Sequence, residues 1–282
     1  MNVTIRNSLR MLTISVLMVA NAGCGGPERP ASGTTNPTTV APVETQLTVA
    51  DANILSRLLF NNYDKGGADV SVHVPYGLQS SIQIQAVVDW KNHVGKAEVR
   101  VVGTDGKVID TSTVFWRDLY DSQKGLVATT LKGLAESMTT AGRPGVNYVA
   151  RPFSETSPLD RVLRYLDGLA TAQAENPLLL RQDEKAKSLG NQVITTADAT
   201  AVGDADGAVV DAIALRYGKS RYWADPKKGL MLQASAPLAG LAEETVFRFS
   251  AHRPRTVTLP GVDEVVDAAD IPQIYQQLTS RK

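Results

Sequence analysis

The chain has 282 residues, 43% of them hydrophobic, and its 29 basic residues are balanced by 29 acidic ones. This balance argues against nucleic acid as a partner, because that binding depends on a positive excess that neutralises phosphates. The single cysteine excludes an internal disulfide framework.

The N-terminal segment has the layout of a secretory leader. Arg6 and Arg10 precede the apolar run 11–20, and small residues then lead to Cys24. An apolar run of about ten residues is too short for a membrane span, which needs roughly 20. We therefore interpret residues 1–23 as a signal peptide that is removed on export.

Cys24 lies where cleavage would expose it as the new N-terminus. Ala22, Gly23 and Cys24 resemble a bacterial lipobox, although Asn21 stands where an aliphatic residue is usual. The resemblance implies that the Cys24 thiol is lipidated and holds the protein on the extracytoplasmic face of the cell membrane. Two or three acyl chains suffice for stable anchoring, at about 0.8 kcal/mol per CH₂. The alternative is a secreted protein with an incidental cysteine.

Residues 25–46 are rich in Gly, Pro, Ser and Thr and nearly free of large apolar side chains. Such a segment cannot bury enough surface to fold, so it is typical of a tether. The sequence thus predicts a signal peptide (1–23), a lipidated cysteine with a disordered tether (24–46) and a folded domain (47–282).

The first half of the domain predicts a helix followed by a meander. Residues 48–64 carry one apolar stripe, with Thr48 as the N-cap and Asp51 at the third helical position. Apolar residues then alternate with polar ones in the runs 70–74, 82–90 and 97–101, and a fourth run spans 107–117, with short connections between the runs. Short connections indicate antiparallel pairing, and the alternation indicates one covered and one wet face.

The second half is more mixed. Residues 125–142 fit a helix or a strand, whereas Ser157 and Pro158 begin a helix that we expect to reach Gln173. Strands return after residue 190, and Ile271, Ile274, Tyr275 and Leu278 predict a short final helix. The sum is an α+β fold in which a curved antiparallel sheet of about 9–11 strands carries a few helices.

This order of elements resembles the lipid-carrying lipoproteins of mycobacteria and related actinobacteria, and more distantly the LolA-like lipoprotein-localisation carriers. The resemblance rests on Cys24 and its tether, the first helix and meander, the helix from Pro158, and the hairpin "YGKSRYWADPKKGLMLQASA" at residues 217–236. It covers most of the chain from Cys24 onward. It implies a half-barrel with helices across the concave face. Family members hold acylated lipids in such a cavity or pass them across the envelope.

The aliphatic faces of the strands and the central helix are the candidate lining of such a cavity, with one tryptophan at its mouth. The alternative is that these side chains form an ordinary core. The candidate lining residues are Val70, Val72, Ile82, Ile84, Val99, Val101, Leu163, Leu166, Ile213, Leu215, Trp223, Leu230 and Leu232.

Catalytic and metal-binding motifs are not apparent. His73, His93 and His252 form no HExxH pattern, and no serine lies in a nucleophile elbow. The "DADG" stretch at 204–207 lacks the further ligands of a calcium loop and is interpreted as a hairpin turn. We therefore predict no enzyme, no cofactor and no metal.

Two hypotheses remain, with an enzyme as a distant third. The first is a membrane-anchored carrier that binds an apolar envelope lipid or acyl chain. The second is a non-catalytic interaction lipoprotein that modulates an envelope sensor or assembly machine through a protein partner. A filled concave face and an exposed apolar patch would favour the second.

Overall fold

The computed structural model describes residues 43–76, 80–121, 125–195, 209–241 and 243–280. Residues 42–282 form one compact unit. The predicted signal peptide, Cys24, most of the predicted tether and the predicted turn at 204–207 lie outside the described residues. The first strand, β1 (Thr45–Gln46), begins slightly before the predicted domain boundary at 47.

The first helix, α1 (Val49–Lys65), has the predicted N-terminal cap. The Thr48 hydroxyl accepts a hydrogen bond from the Asp51 N–H at 3.1 Å, and the Asp51 carboxylate accepts one from the Thr48 N–H at 3.2 Å. Gly66 ends the helix with φ at 85°, a left-handed conformation that glycine adopts without strain. The prediction of a capped helix in this segment is confirmed.

Twelve further strands follow β1 in the described residues. They are β2 (Gly67–Tyr76), β3 (Ser80–Asp89), β4 (Val94–Gly103), β5 (Val108–Arg117), β6 (Leu126–Thr129), β7 (Tyr148–Pro152), β8 (Ala186–Thr195), β9 (Val209–Tyr217), β10 (Ser220–Ala224), β11 (Met231–Pro237), β12 (Glu244–Ser250) and β13 (Val265–Asp267).

All thirteen strands belong to one curved sheet that does not close. Their spatial order is β1-β8-β9-β10-β11-β12-β2-β3-β4-β5-β6-β7-β13. Neighbours are antiparallel except β7 and β13, which are parallel. The predicted meander is β2 to β5, and the predicted α+β class with a large antiparallel sheet is confirmed. The strands outnumber the prediction because very short ones carry no recognisable alternation.

Four more helices connect or follow the strands in the described residues. They are α2 (Leu134–Thr140), α3 (Pro158–Asp167), α4 (Pro177–Gln182) and α5 (Pro272–Thr279). The ambiguous segment 125–142 therefore contains both a strand, β6, and a helix, α2. The inward face predicted for the final helix is confirmed, because Ile271 and Leu278 are buried against Leu134 and Met138 of α2, with Ile274 and Tyr275 beside them.

The helix from Pro158 is shorter than predicted, since α3 ends at Asp167 and not near Gln173. The Tyr120 hydroxyl donates a hydrogen bond to the Arg164 carbonyl at 2.9 Å, close against the helix end. A Cβ at Gly168 would lie only 2.0 Å from that hydroxyl oxygen, so a larger residue there would displace the Tyr120 ring. Beyond it, residues 168–176 run as an irregular segment, which we call the strap, across α1.

The helices cover one side of the sheet, which we call the inner face. Phe247 of β12, Val72 of β2 and Ile84 of β3 are neighbours in register on this face, and all three are buried. Leu166 of α3 packs in the same cluster, and its carbonyl accepts a hydrogen bond from the Trp90 indole at 3.2 Å. The main core therefore lies between α3, α1 and the middle of the sheet.

Candidate apolar binding site

Most of the predicted lining residues lie together on the inner face. Seven of them belong to the main core cluster, which α3 completes with two leucines. These are Val70, Val72, Ile82, Ile84, Val99, Leu163 and Leu166. Ile213 and Leu215 belong to the adjoining cluster around α1 and α4, which shares Ile54 and Tyr222 with the main core. Val101, opposite Ile82, and Leu230, just before β11, are half-buried and belong to neither cluster.

Trp223 and Leu232 do not share this face, so their place in the predicted lining is wrong. Both pack with Leu189 and Ala214 in a separate cluster on the opposite, outer face. Tyr222 packs against the inner core, so the next residue of β10, Trp223, points to the other side. A β-bulge opposite Trp223 and Ala224 leaves Leu232 as an extra residue in β11 and breaks the alternation on which the prediction relied.

A small cavity remains between the helices and the inner face. Its volume is about 40 Å³, and it lies between α1, the strap, α4, β9 and β10. Its lining residues are Leu55, Ser56, Leu58, Leu59, Thr171, Glu175, Leu180, Tyr217 and Tyr222. Pockets for small-molecule ligands measure about 300–1,000 Å³. The inner face is therefore filled by the protein's own side chains in this conformation.

The strap closes this cavity with few interactions. The backbone N–H of Thr171 donates to the Leu59 carbonyl at 3.2 Å, and that of Glu175 donates to the Ser56 carbonyl at 2.8 Å. The Asn62 side chain adds a bond to the Leu169 carbonyl at 2.7 Å. The strap residues from Thr171 onward are exposed. Leu169, at the start of the strap, is buried in the main core, so it is the exposed part from Thr171 onward that opens at low cost in free energy.

Polar groups lie near the cavity as well as in its lining. The buried Oδ1 atom of Asn62 accepts no hydrogen bond within the described residues, whereas the Tyr165 hydroxyl interacts with the side chains of Ser220 and Tyr222. Burial raises the pKa of both Tyr165 and Tyr222, so these phenols stay neutral. The lining is therefore mixed, because Ser56, Thr171, Glu175 and Tyr217 line the cavity together with the leucines.

Sequence reasoning missed the residues that form this cavity. The sequence pattern places Leu55, Leu58 and Leu59 on the apolar stripe of the first helix and indicates no further role for them. It places Thr171 and Glu175 within or just after a longer helix from Pro158. Because the strap conformation depends on Tyr120 and α1, no local pattern signals it. The leucine stripe of α1 was the one signal in the sequence that could have indicated these residues, since its members point toward the sheet.

A second group of interest lies where α3 ends, below the turn between β3 and β4. Asp167 has a fully buried side chain, and neither of its oxygens accepts a hydrogen bond. Burial raises its pKa to about 6, partly opposed by the His93 imidazole, whose Nδ1 lies 3.6 Å from Oδ2, while Asp118 adds to the increase. Asp167 follows Leu163 by four residues, so it occupies the buried stripe of α3.

We expect the Asp167→Asn variant to gain stability relative to the wild type as the pH rises. The folded-state pKa of about 6 exceeds the ordinary value of 3.8, so this group stabilises the fold at low pH and the contribution is lost as the pH rises through 6. The wild type should therefore lose about 1.4 kcal/mol between pH 5 and pH 8, which asparagine does not. Urea titrations across this pH range measure the difference between the two proteins.

His252 contributes to stability with the opposite pH dependence. Burial lowers its pKa to about 4, with Lys65 contributing, so its stabilising contribution is present above pH 6.5 and is lost as the pH falls. Both proteins contain His252, so its contribution to stability cancels in the difference between wild type and Asp167→Asn. That difference therefore reports Asp167 alone. A difference that stays constant between pH 5 and pH 8 would contradict the assignment.

The described residues show no other constellation for chemistry. No cluster of three or more His, Cys, Asp or Glu side chains that could hold a metal ion occurs within the described ranges. His73 is exposed on β2 of the outer face, whereas His93 and His252 lie in the environments given above. None of the described helices has the length and hydropathy that crossing a bilayer requires.

No protein-family model matches the chain, and a search of curated proteins found no significant similarity.

Proposed function

We propose that the chain is a membrane-anchored lipoprotein whose sheet acts as a half-barrel that binds an apolar envelope lipid through an acyl chain. The observation that carries this proposal is the leucine-lined cavity between α1, α4 and the inner face. It adjoins the apolar cluster around Leu215 and lies beneath a weakly held strap. No membrane span is needed, because the anchor is the lipid on Cys24.

Binding requires the cavity to expand from its present volume. An acyl chain gains about 0.8 kcal/mol per buried CH₂, so a dozen methylenes contribute on the order of 10 kcal/mol. The two backbone hydrogen bonds that hold the strap from Thr171 onward are worth about 1 kcal/mol each. In this proposal the described conformation is the closed, unliganded state, and acyl burial offsets the loss of these bonds and the displacement of packed side chains around the cavity.

Native mass spectrometry tests the proposal. The sample is residues 42–282, purified from bacterial cells that make the candidate envelope lipids. We expect a discrete added mass that disappears on solvent extraction. The Thr171→Trp variant places a large side chain at the exposed rim of the cavity and should reduce the loaded fraction several-fold. Thr139→Trp, an equally exposed change on α2, is the matched control and should load like the wild type. A clean apo mass for the wild type would contradict lipid binding.

The second candidate is a non-catalytic interaction lipoprotein. The specific observation in its favour is the filled inner face, where Leu163 and Leu166 are fully buried against the sheet. In that case the domain presents only its outer surface to an envelope partner. Crosslinking in intact cells with a photoreactive residue on the outer face, followed by identification of one reproducible partner together with an apo mass, would favour this candidate over the first.

A further inference from the structure

The short helix α4 presents apolar side chains to solvent. Leu178 and Leu179 are 65% and 64% exposed, whereas Leu180 beside them is 5% exposed and lines the cavity. The helix sequence is PLLLRQ, so Arg181 is its only charged residue. Single exposed leucines are common on protein surfaces, whereas two adjacent ones on one helical turn form a small exposed apolar surface.

The α4 helix lies at the point where the N-terminal chain enters the fold. Leu180 packs with Leu47 and Ala52, which flank the start of α1. Val49 of α1 and Val43 before β1 are 59% and 77% exposed. We call Leu178 and Leu179 the α4 patch. Because Leu180 packs against Leu47, this patch lies close to the attachment point of residues 25–42.

The length of that N-terminal segment limits how far the patch can be from Cys24. Eighteen residues separate Cys24 from Val43, and even fully extended they span only about 60 Å. With Cys24 in a bilayer, the patch is permanently within reach of an apolar surface, at a high effective concentration. This step rests on the proposed lipid anchor.

We infer that the α4 patch docks on the bilayer that holds Cys24. The two leucines would enter the boundary between head groups and acyl chains, and Arg181 would lie at the level of anionic head groups. Burying two leucine side chains shifts the equilibrium of a tethered domain toward the docked state by roughly 100-fold. Docking places Leu180 and the cavity mouth at the membrane surface, so an acyl chain can pass between bilayer and cavity without crossing water.

The test uses the full lipidated chain in vesicles of phosphatidylcholine and phosphatidylglycerol. A fluorophore is attached through Leu179→Cys or, as control, through Val262→Cys, whose native side chain is 90% exposed and lies between β12 and β13. Lipids carrying a nitroxide on the acyl chain quench only fluorophores that enter the bilayer. We expect quenching at position 179 to exceed that at position 262 about threefold, because docked apolar faces lie about 5–10 Å deep.

Each outcome is decisive. Equal quenching at the two positions overturns the docking. An apolar emission at position 179 without quenching means that a second copy or a protein covers the patch, which also overturns it. The unmutated chain should not react with the maleimide dye, because lipidation consumes its only thiol. Labelling of that chain would overturn the anchor itself, and this failure is distinct from the other two.

A second variant separates docking from mere proximity. With the fluorophore at Gln182→Cys, the double change Leu178→Ser and Leu179→Ser should abolish most of the quenching. Both leucines are exposed, so the fold should persist. Quenching that survives the double change would assign the contact to other residues and overturn the role of the α4 patch.

Discussion

Replacing Asp160 with alanine should lower the free energy of unfolding by about 3–5 kcal/mol, because the change leaves a largely buried guanidinium without its partner. Asp160 is fully buried and accepts hydrogen bonds from Arg151 at 2.6 and 2.7 Å, from the Ser154 N–H at 2.8 Å and from the Ser157 hydroxyl at 2.9 Å. The one carboxylate therefore joins β7 to the N-terminus of α3.

Chemical denaturation of the Asp160→Ala variant at neutral pH measures this loss. The matched control is Glu155→Ala, which removes an exposed ion pair between Glu155, just before α3, and Arg164 in the last turn of the same helix. Exposed ion pairs contribute about 0–1 kcal/mol, so this control should change little. Equal losses for the two variants would mean that the Asp160 network does not anchor α3.

The parts of the fold that follow from short-range chemistry were predictable. Thr48 with Asp51, and Ser157 with Pro158, mark helix starts because each pair satisfies backbone groups within one turn. The strands β2, β3 and β4 were predictable because apolar residues recur at every second position over most of each run. β5 lacks this period and was predictable from its apolar content and the short connection before it. These signals need no information about distant parts of the chain.

Elements that depend on distant partners were not predictable in the same way. β13 has three residues and exists because Val266 pairs with Val149, far away in sequence. That pairing leaves no local pattern, so the strand was missed. The end of α3 does carry a local signal, because Gly168 directly follows Asp167, but the apolar residues after it favoured a longer helix.

The candidate site was also predictable only where local patterns decide the structure. Alternation placed Val72 and Leu215 on the inner face, because β2 pairs with β12 without a bulge and the bulge between β8 and β9 adds its extra residue to β8, not to β9. It failed for Leu232, since a bulge arises only when β10 and β11 pair. The cavity could not be foreseen, because periodicity defines a face and says nothing about the space left between that face and the helices above it.

Leu163→Ala is the second change with a large expected effect, and it discriminates between the two proposed functions. The Leu163 side chain is fully buried in the centre of the inner face. Its truncation should cost about 2–5 kcal/mol in the absence of lipid, because the surrounding side chains relax only partly into the space. Denaturation of residues 42–282 measures this, with Val262→Ala as the exposed control that should change little.

The response of Leu163→Ala to lipid then separates a carrier from a packed interaction domain. A ligand that binds only the folded state adds about 2.7 kcal/mol at one hundred times its dissociation constant. If the half-barrel accepts an acyl chain, the extracted lipid should restore Leu163→Ala at least as far as it stabilises the wild type, because the truncation enlarges the space available. If the inner face is a permanent core, the lipid should leave both proteins unchanged, and the enlarged space remains a simple loss.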